Sequence, residues 1–246
     1  MRYRDLFVDL DDTLWDIHRN GKECLEAIYV DYGYGKYYPE FEDYYNVYMR
    51  NNNRLWGLYR EGVILKEELI VERFLAPVRE FGIEDAEYAK RLNDDFLERT
   101  TRKTGLIDGT MELLEYLKPK YRMHILSNGF TEVQHKKIKN SGLRPYFDTV
   151  ILSEEAGVNK PHPDMFTHAL KRTGASREQT VMIGDSWEAD IVGAYRSSID
   201  QIWLNPTGEI PAETVSIGKT NAEAGFWGEF NPTYIVSSLK EIKDIL

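Results

Sequence analysis

The sequence predicts an α/β fold: a doubly wound parallel sheet, broken after its first strand by an all-helical block. Short apolar runs recur at Leu6–Leu10, Met123–Leu126, Val150–Leu152, Val181–Ile183 and Gln201–Leu204. Each is bounded by polar residues or Gly and is too short for a helix, so buried strands fit best. Helical patterns separate the later runs, and alternating strands and helices build a parallel sheet between helical layers. The interval between the first run and Gly105 contains no comparable run, only helical periodicity.

Each element has its local reason. Met111–Leu117 carries apolar residues at helical spacing ahead of Pro119, and Thr131–Ser141 stops at Gly142. Pro163–Thr173 opens with Pro in the first turn, where its missing N–H costs nothing, and stops at Gly174. Ala189–Ser197 leads into the fifth run. In the block, helical spacing runs through Gly21–Asp31, Phe41–Tyr59, Lys66–Phe81 and Asp85–Thr100. The expected organisation is an α/β core at 1–15 and 104–246 with a helical insertion at 16–103; insertion at a loop is structurally cheap. Pro206–Pro232 is aperiodic and reads as a long surface loop, followed by a strand at Tyr234–Val236 and a helix at Leu239–Leu246. Within that loop Ile217-Gly218-Lys219-Thr220 imitates the end of a phosphate-binding P-loop, but Glu213 stands where the pattern needs Gly. It is a decoy.

Composition narrows the class. With 246 residues and 42% hydrophobic content the chain can bury a core, and 13% aromatics argue against disorder. A net charge of −10 disfavours nucleic-acid polymers and anionic membranes, which need clustered Lys and Arg. The sole cysteine, Cys24, cannot form an internal disulfide and reads as a buried thiol on a helix. There is no apolar stretch of signal-peptide length and none near the ~20 residues of a membrane helix. The two Asn-x-Thr sequences are blocked by Pro206 and Pro232. The expectation is a cytoplasmic protein, monomer or homodimer.

Polar residues that could do chemistry stand where apolar runs end. Asp9-Leu10-Asp11-Asp12-Thr13 follows the first run, Ser127-Asn128-Gly129 the second, and Gly184-Asp185-Ser186-Trp187-Glu188-Ala189-Asp190 the fourth. Lys160 lies in Asn159-Lys160-Pro161-His162-Pro163, ahead of a helix, its loop stiffened by prolines. Each has a plain reading as a turn, a cap or a solvated loop. Together they occupy the carboxyl ends of strands, where open α/β sheets bind ligands.

Asp-x-Asp-x-Thr, Ser-Asn, Lys-Pro and Gly-Asp-Ser-x-x-x-x-Asp, in that order, resemble the motif set of the haloacid dehalogenase superfamily over essentially the whole chain. The resemblance implies a Rossmann-like core, and the helical insertion looks like that family's type-1 cap. It implies Asp9 as nucleophile, Asp11 as acid–base partner, and Mg²⁺ held by Asp9, Asp185 and the Asp11 carbonyl. It implies Ser127, Asn128 and Lys160 on the phosphate, with Asp190 and Thr13 supporting from behind. A dianionic phosphate repels a carboxylate, so a cation and hydrogen-bond donors must offset that charge. Halide leaves without a proton, so the presence of Asp11 argues for phosphate esters over dehalogenation.

The stretches Asn128–Thr131, Ser141–Asp148, Ile151–Pro161 and Leu55–Gly62 resemble the house-cleaning pyrimidine 5′-nucleotidase branch. That implies a nucleoside monophosphate as substrate, with Trp56 and Phe130 as candidates to stack its base and Tyr59 as cap core. A sugar-phosphate phosphatase, a hexose-phosphate mutase, and a regulatory metal- or phosphate-binding protein on a degenerate fold are the alternatives. A phosphonatase would need a Schiff-base lysine from Lys22, Lys36 or Lys66.

Overall fold

The computed structural model describes residues 2–209 and 231–246. Strand β1 (Asp5–Val8) is followed by four helices, α1 (Ile17–Asp31), α2 (Phe41–Arg60), α3 (Lys66–Arg79) and α4 (Ala86–Thr101). Then come α5 (Thr110–Leu117), β2 (Arg122–Ser127), α6 (Thr131–Asn140), β3 (Thr149–Leu152), α7 (Ser153–Ala156), α8 (Pro163–Thr173) and β4 (Thr180–Gly184). A π-helical turn at Trp187–Val192 runs into α9 (Gly193–Arg196), and β5 (Asp200–Leu204), β6 (Tyr234–Val236) and a 3-10 helix (Leu239–Asp244) follow.

The chain groups into two compact units: Met1–Trp15, Leu106–Ser127 and Pro145–Leu246 form one, Asp16–Gly105 and Asn128–Arg144 the other. In the first, six strands form a sheet in the order β3-β2-β1-β4-β5-β6, every neighbouring pair parallel. Every residue of β1 and β4 is buried, which is why these strands read as continuous apolar runs rather than alternating ones. Phe7, Leu126, Ile151 and Met182 of the sheet pack with Met165, Phe166, Ala169 and Leu170 of α8. That helix starts at Pro163 and stops on Gly174 at φ 66. The strand order reverses between β1 and its two neighbours, so the carboxyl ends of β2, β1 and β4 flank the switch point, where such sheets bind ligands.

The second unit is helical, with Cys24 buried in α1 as expected. Its main core is aromatic: Tyr34, Tyr44, Tyr48 and Phe74 pack with Leu25, Ile28 and Leu92. A second cluster joins Leu55, Ile64 and Leu69 to Phe130 and Val133. Residues 128–144 therefore group with α1–α4, although their place between β2 and β3 suggested the α/β part. Phe130 and Val133 bury against the α2 and α3 residues, and Asn140 Nδ2 donates to the Thr101 carbonyl at 2.7 Å.

Two local readings change. The C-terminal helix expected at Leu239–Leu246 is a 3-10 helix over Leu239–Asp244, whose three-residue turn points both Leu239 and Ile242 inward, each 0% exposed. The helix expected from Ala189 begins two residues earlier, as the π-helical turn. Most of the expected loop at 206–232, with Ile217–Thr220, lies outside the described residues. Among the described residues no helix is long and apolar enough to cross a membrane.

Candidate active site

Asp9 is the first residue past β1, and its N–H still donates to the Ile183 carbonyl at 2.9 Å. The chain then winds tightly. Leu14 and Trp15 both donate their N–H to the Leu10 carbonyl, and Asp12 N donates to Trp15 O at 2.8 Å. Asp12 sits at φ 60, a left-handed conformation that Asp tolerates better than most residues. This turn carries Thr13 to Asp185. The Thr13 hydroxyl donates to Asp185 Oδ1 at 2.9 Å and accepts from Asp185 N at 3.1 Å. Trp203 on β5 donates its indole N–H to the Asp185 carbonyl at 2.9 Å and packs on Trp187 with ring centroids 4.8 Å apart. Trp187 thus braces the site and Trp203 holds it. Nothing in the sequence singled out Trp203, since its role depends on which strand lies beside β4.

Lys160 is 2% exposed. Its ammonium donates at 2.6 Å to Asp9 Oδ1, at 2.6 Å to Asp190 Oδ1 and at 2.6 Å to the carbonyl of Leu126. Three N–H donors meet three acceptors, so the buried cation is fully satisfied. Asp190 is aimed by the π-helical turn. The Ser186 carbonyl accepts from both Asp190 N and Ile191 N, at 3.0 and 3.2 Å, and Asp190 Oδ2 accepts from Ser186 N at 3.1 Å. Gly184 makes room, because a Cβ there would run into the Asp190 carboxylate. Gly193 plays the same part on the other side, where a Cβ would meet Pro161 Cα at 2.9 Å.

Charge is unevenly balanced here. Burial pushes the Asp9 carboxyl up to about 7, opposed by Lys160 and reinforced by Asp190 and Asp11. Burial also lifts Asp185 to about 7, with Asp9 and Asp12 adding to it, and Asp190 to about 6, against the pull of Lys160. Burial alone would lower the Lys160 ammonium, but Asp190 and Asp9 outweigh it and hold it above its ordinary value. One ammonium faces three acids.

Asp9, Asp185 and Asp190 can each bring one carboxylate oxygen within 4.8 Å of the others. An oxygen-only donor set suits a hard cation such as Mg²⁺. Asp190 already has one oxygen on Lys160 and the other on Ser186 N, which leaves Asp9 and Asp185 as the better ligands. The residues present fit a divalent ion.

The other expected residues divide between the units. Ser127 closes β2, buried, next to the Leu126 carbonyl that Lys160 uses. Asn128 falls in the helical unit, as do Trp56 and Phe130. Phe130 is 2% exposed, with Trp56 at 5.2 Å, Tyr59 edge-on at 5.9 Å and the Lys66 ammonium 4.3 Å from its ring centroid. Its ring is therefore enclosed within the helical unit. Trp56 is half-buried and keeps that possibility.

The profile of the haloacid dehalogenase-like hydrolases matches residues 5–196. The chain belongs to the haloacid dehalogenase-like hydrolase family. It is 32% identical to YfnB of Bacillus subtilis over 100% of this chain and 96% of that protein. The crystal structure of YfnB bound to magnesium matches with a TM-score of 0.84 and 29% identity, covering 100% of this chain and 99% of that one. It is 29% identical to the pyrimidine 5′-nucleotidase YjjG of Escherichia coli K12, over 100% of this chain and 99% of the relative. It is 32% identical to the pyrimidine 5′-nucleotidase PynA of Streptococcus pneumoniae, over 84% and 85%. Hydrolases of this family typically use Mg²⁺, and the helical unit is consistent with their type-1 cap.

Two predictions follow from the charge balance. Lys160→Met strands two buried carboxylates, so at pH 8 it is expected to cost about 3–5 kcal/mol of stability. The loss shrinks at pH 5.5, where the acids protonate; denaturant unfolding at both pH values measures it. Asp9, Asp185 and Asp190 titrate above the ordinary carboxylate value in the folded protein, so their contribution to stability declines as pH rises from about 4 to 7. A divalent cation must displace those protons. The rise in Tm produced by Mg²⁺ is therefore expected to be small at pH 5 and to grow towards pH 8, and an equal rise at both would count against a carboxylate site.

Proposed function

We propose that this hydrolase cleaves phosphate monoesters with Mg²⁺ through an aspartyl-phosphate on Asp9, and that its substrates are pyrimidine nucleoside 5′-monophosphates, noncanonical ones included. The observation that carries the reading is the buried Lys160 ammonium, which donates to Asp9 and Asp190 at once. A cation in that place orients the nucleophile and meets the charge of an incoming phosphate.

In the proposed reaction a carboxylate oxygen of Asp9 attacks phosphorus and the ester P–O bond breaks. Asp11 gives its proton to the departing alkoxide, then takes one from the water that hydrolyses the aspartyl-phosphate. Lys160, the Ser127 hydroxyl and Asn128 hold the equatorial oxygens as charge shifts onto them. Asp9, Asp185 and the Asp11 carbonyl would hold Mg²⁺, which offsets the repulsion between carboxylate and phosphate. Thr13 fixes the rotamer of Asp185, and Asp190 fixes that of Lys160.

The names of YjjG and PynA support pyrimidine nucleotides as the substrate class. Trp56, backed by Phe130, supports it from the chain itself. A Schiff base is less well supported. Lys22 is paired with Glu42 at 2.6 Å and held above its ordinary pKa by that hydrogen bond, which opposes the neutral amine such chemistry needs.

Phosphate release from UMP is expected to require Mg²⁺, to fall about 10³-fold or more in Asp9→Asn, and to fall about 10²- to 10⁴-fold in Asp11→Asn. Undiminished release by Asp9→Asn would falsify the covalent route. A panel of UMP, dUMP, dTMP and sugar phosphates tests the substrate class; a large preference for sugar phosphates would remove the nucleotidase reading and leave the phosphatase one. Trp56→Ala is expected to raise KM for UMP about 5- to 150-fold, the value of one stacked base.

A further inference from the structure

Asp185 is gripped from both strands that flank β4. The sheet order puts β1 on one side of β4 and β5 on the other. From the turn after β1, the Thr13 hydroxyl accepts the Asp185 N–H and donates to Asp185 Oδ1. From β5, the Trp203 indole N–H donates to the Asp185 carbonyl at 2.9 Å. The β4–β5 ladder ends at the Gly184–Trp203 pair, so Asp185 lies one residue beyond it. The Trp203 side chain thus extends the hold past the point where backbone pairing stops. Trp203 is itself fixed, 4% exposed and in a strand paired with β4 on one side and β6 on the other.

These contacts divide the task of aiming a side chain. A peptide unit is planar, so a hydrogen bond to its N–H or carbonyl restrains the whole plane. Thr13 restrains the plane before the Asp185 Cα, and Trp203 restrains the plane after it. The Cα–Cβ bond, joined to both planes, is then aimed, and the Thr13 hydroxyl has only the carboxylate rotamer left to set. Without the indole N–H the second plane can tilt. The ring has a separate job. It packs with Trp187, Ile191 and Val192 of the π-helical turn, the turn that carries Asp190. A buried indole N–H usually finds some acceptor, but here the acceptor is the backbone of a candidate metal ligand.

We infer that Trp203 is a positioning residue for the divalent cation: its N–H holds the Asp185 carboxylate in the aim that binds Mg²⁺, while its ring serves stability. The inference rests on Asp185 as a ligand, which belongs to the reading above. Trp203 acts through Asp185. Groups that orient metal ligands from outside typically set metal affinity by about 10- to 100-fold.

Two substitutions in the full-length protein separate the N–H from the ring. Trp203→Phe keeps an aromatic ring and removes the donor. Trp203→His keeps a ring nitrogen at the place of the indole nitrogen, neutral at about pH 8, and gives up the second ring. Calorimetric titration with magnesium chloride is expected to show binding about 10-fold or more weaker in Trp203→Phe than in the wild type. Trp203→His is expected to bind Mg²⁺ more tightly than Trp203→Phe although it melts lower, because it loses more buried apolar volume. A merely structural tryptophan gives another pattern: affinity falls with Tm, or is equal in all three proteins, and either result overturns the inference. In the wild type, where no variant has to fold, Mg²⁺ is expected to shift the Trp203 indole N–H resonance in an NMR titration. A resonance that stays put while Mg²⁺ binds also overturns it. If the wild type binds no Mg²⁺, the ligand reading of Asp185 fails and takes the inference with it; if the wild type binds and Trp203→Phe binds equally well, only the inference fails.

Discussion

One buried ammonium organises the α/β unit. Lys160 reaches Asp9 past β1, the Leu126 carbonyl in β2 and Asp190 in the turn after β4, each at 2.6 Å. Three strand ends are thereby tied to one atom. Desolvating an ammonium costs several kcal/mol, and only full hydrogen bonding with opposite charge offsets it. The close approach at Gly184 makes sense in this light, because a Cβ there would take the space of the Asp190 carboxylate, while Gly193 leaves room for Phe166 and for Pro161, the residue after Lys160. With Asp185 included, acids still outnumber the cation, which is why burial and mutual repulsion raise their pKa values and why a divalent ion fits beside them.

Parallel strand pairing makes such a meeting possible. Every strand of the sheet points the same way, so residues that follow a strand in sequence gather at one edge. Thr13 and Trp203 then turn that gathering into fixed geometry. One clamps a side-chain oxygen and the backbone N–H of Asp185, and the other holds its carbonyl. A residue held at two backbone atoms and one carboxylate oxygen keeps its side chain aimed when charge changes around it. In the proposed reaction this preorganisation is what the α/β unit contributes.

Much of this was legible without coordinates. The strands were visible because a sheet covered on both faces demands unbroken apolar runs, and the helices α5, α6 and α8 because their stops are Gly or precede Pro. The acids of the site were visible because carboxylates directly after buried strands are expensive and rarely idle. Less legible were features that depend on neighbours distant in the chain. Residues 128–144 follow a strand like any crossover segment, and only the burial of Phe130 and Val133 against Leu55, Ile64 and Leu69 assigns them to the helices. Nor did the sequence show that the Phe130 ring is enclosed by Trp56, Tyr59 and Lys66.

By itself the sequence determined the α/β class with its helical insertion, the order of the strand-end motifs and the identity of Asp9, Asp11, Lys160 and Asp185 as candidates, because period, turn chemistry and residue type are local properties. Tertiary structure alone decided that Lys160 joins Asp9 to Asp190 and that Trp203 anchors Asp185. It also decided that Asp190 spends both oxygens on protein donors. Each of these is a matter of which donor meets which acceptor across tens to more than a hundred residues of chain. The Asp9–Asp11 pair is encoded locally, but the cation that orders Asp9 reaches it from 151 positions away.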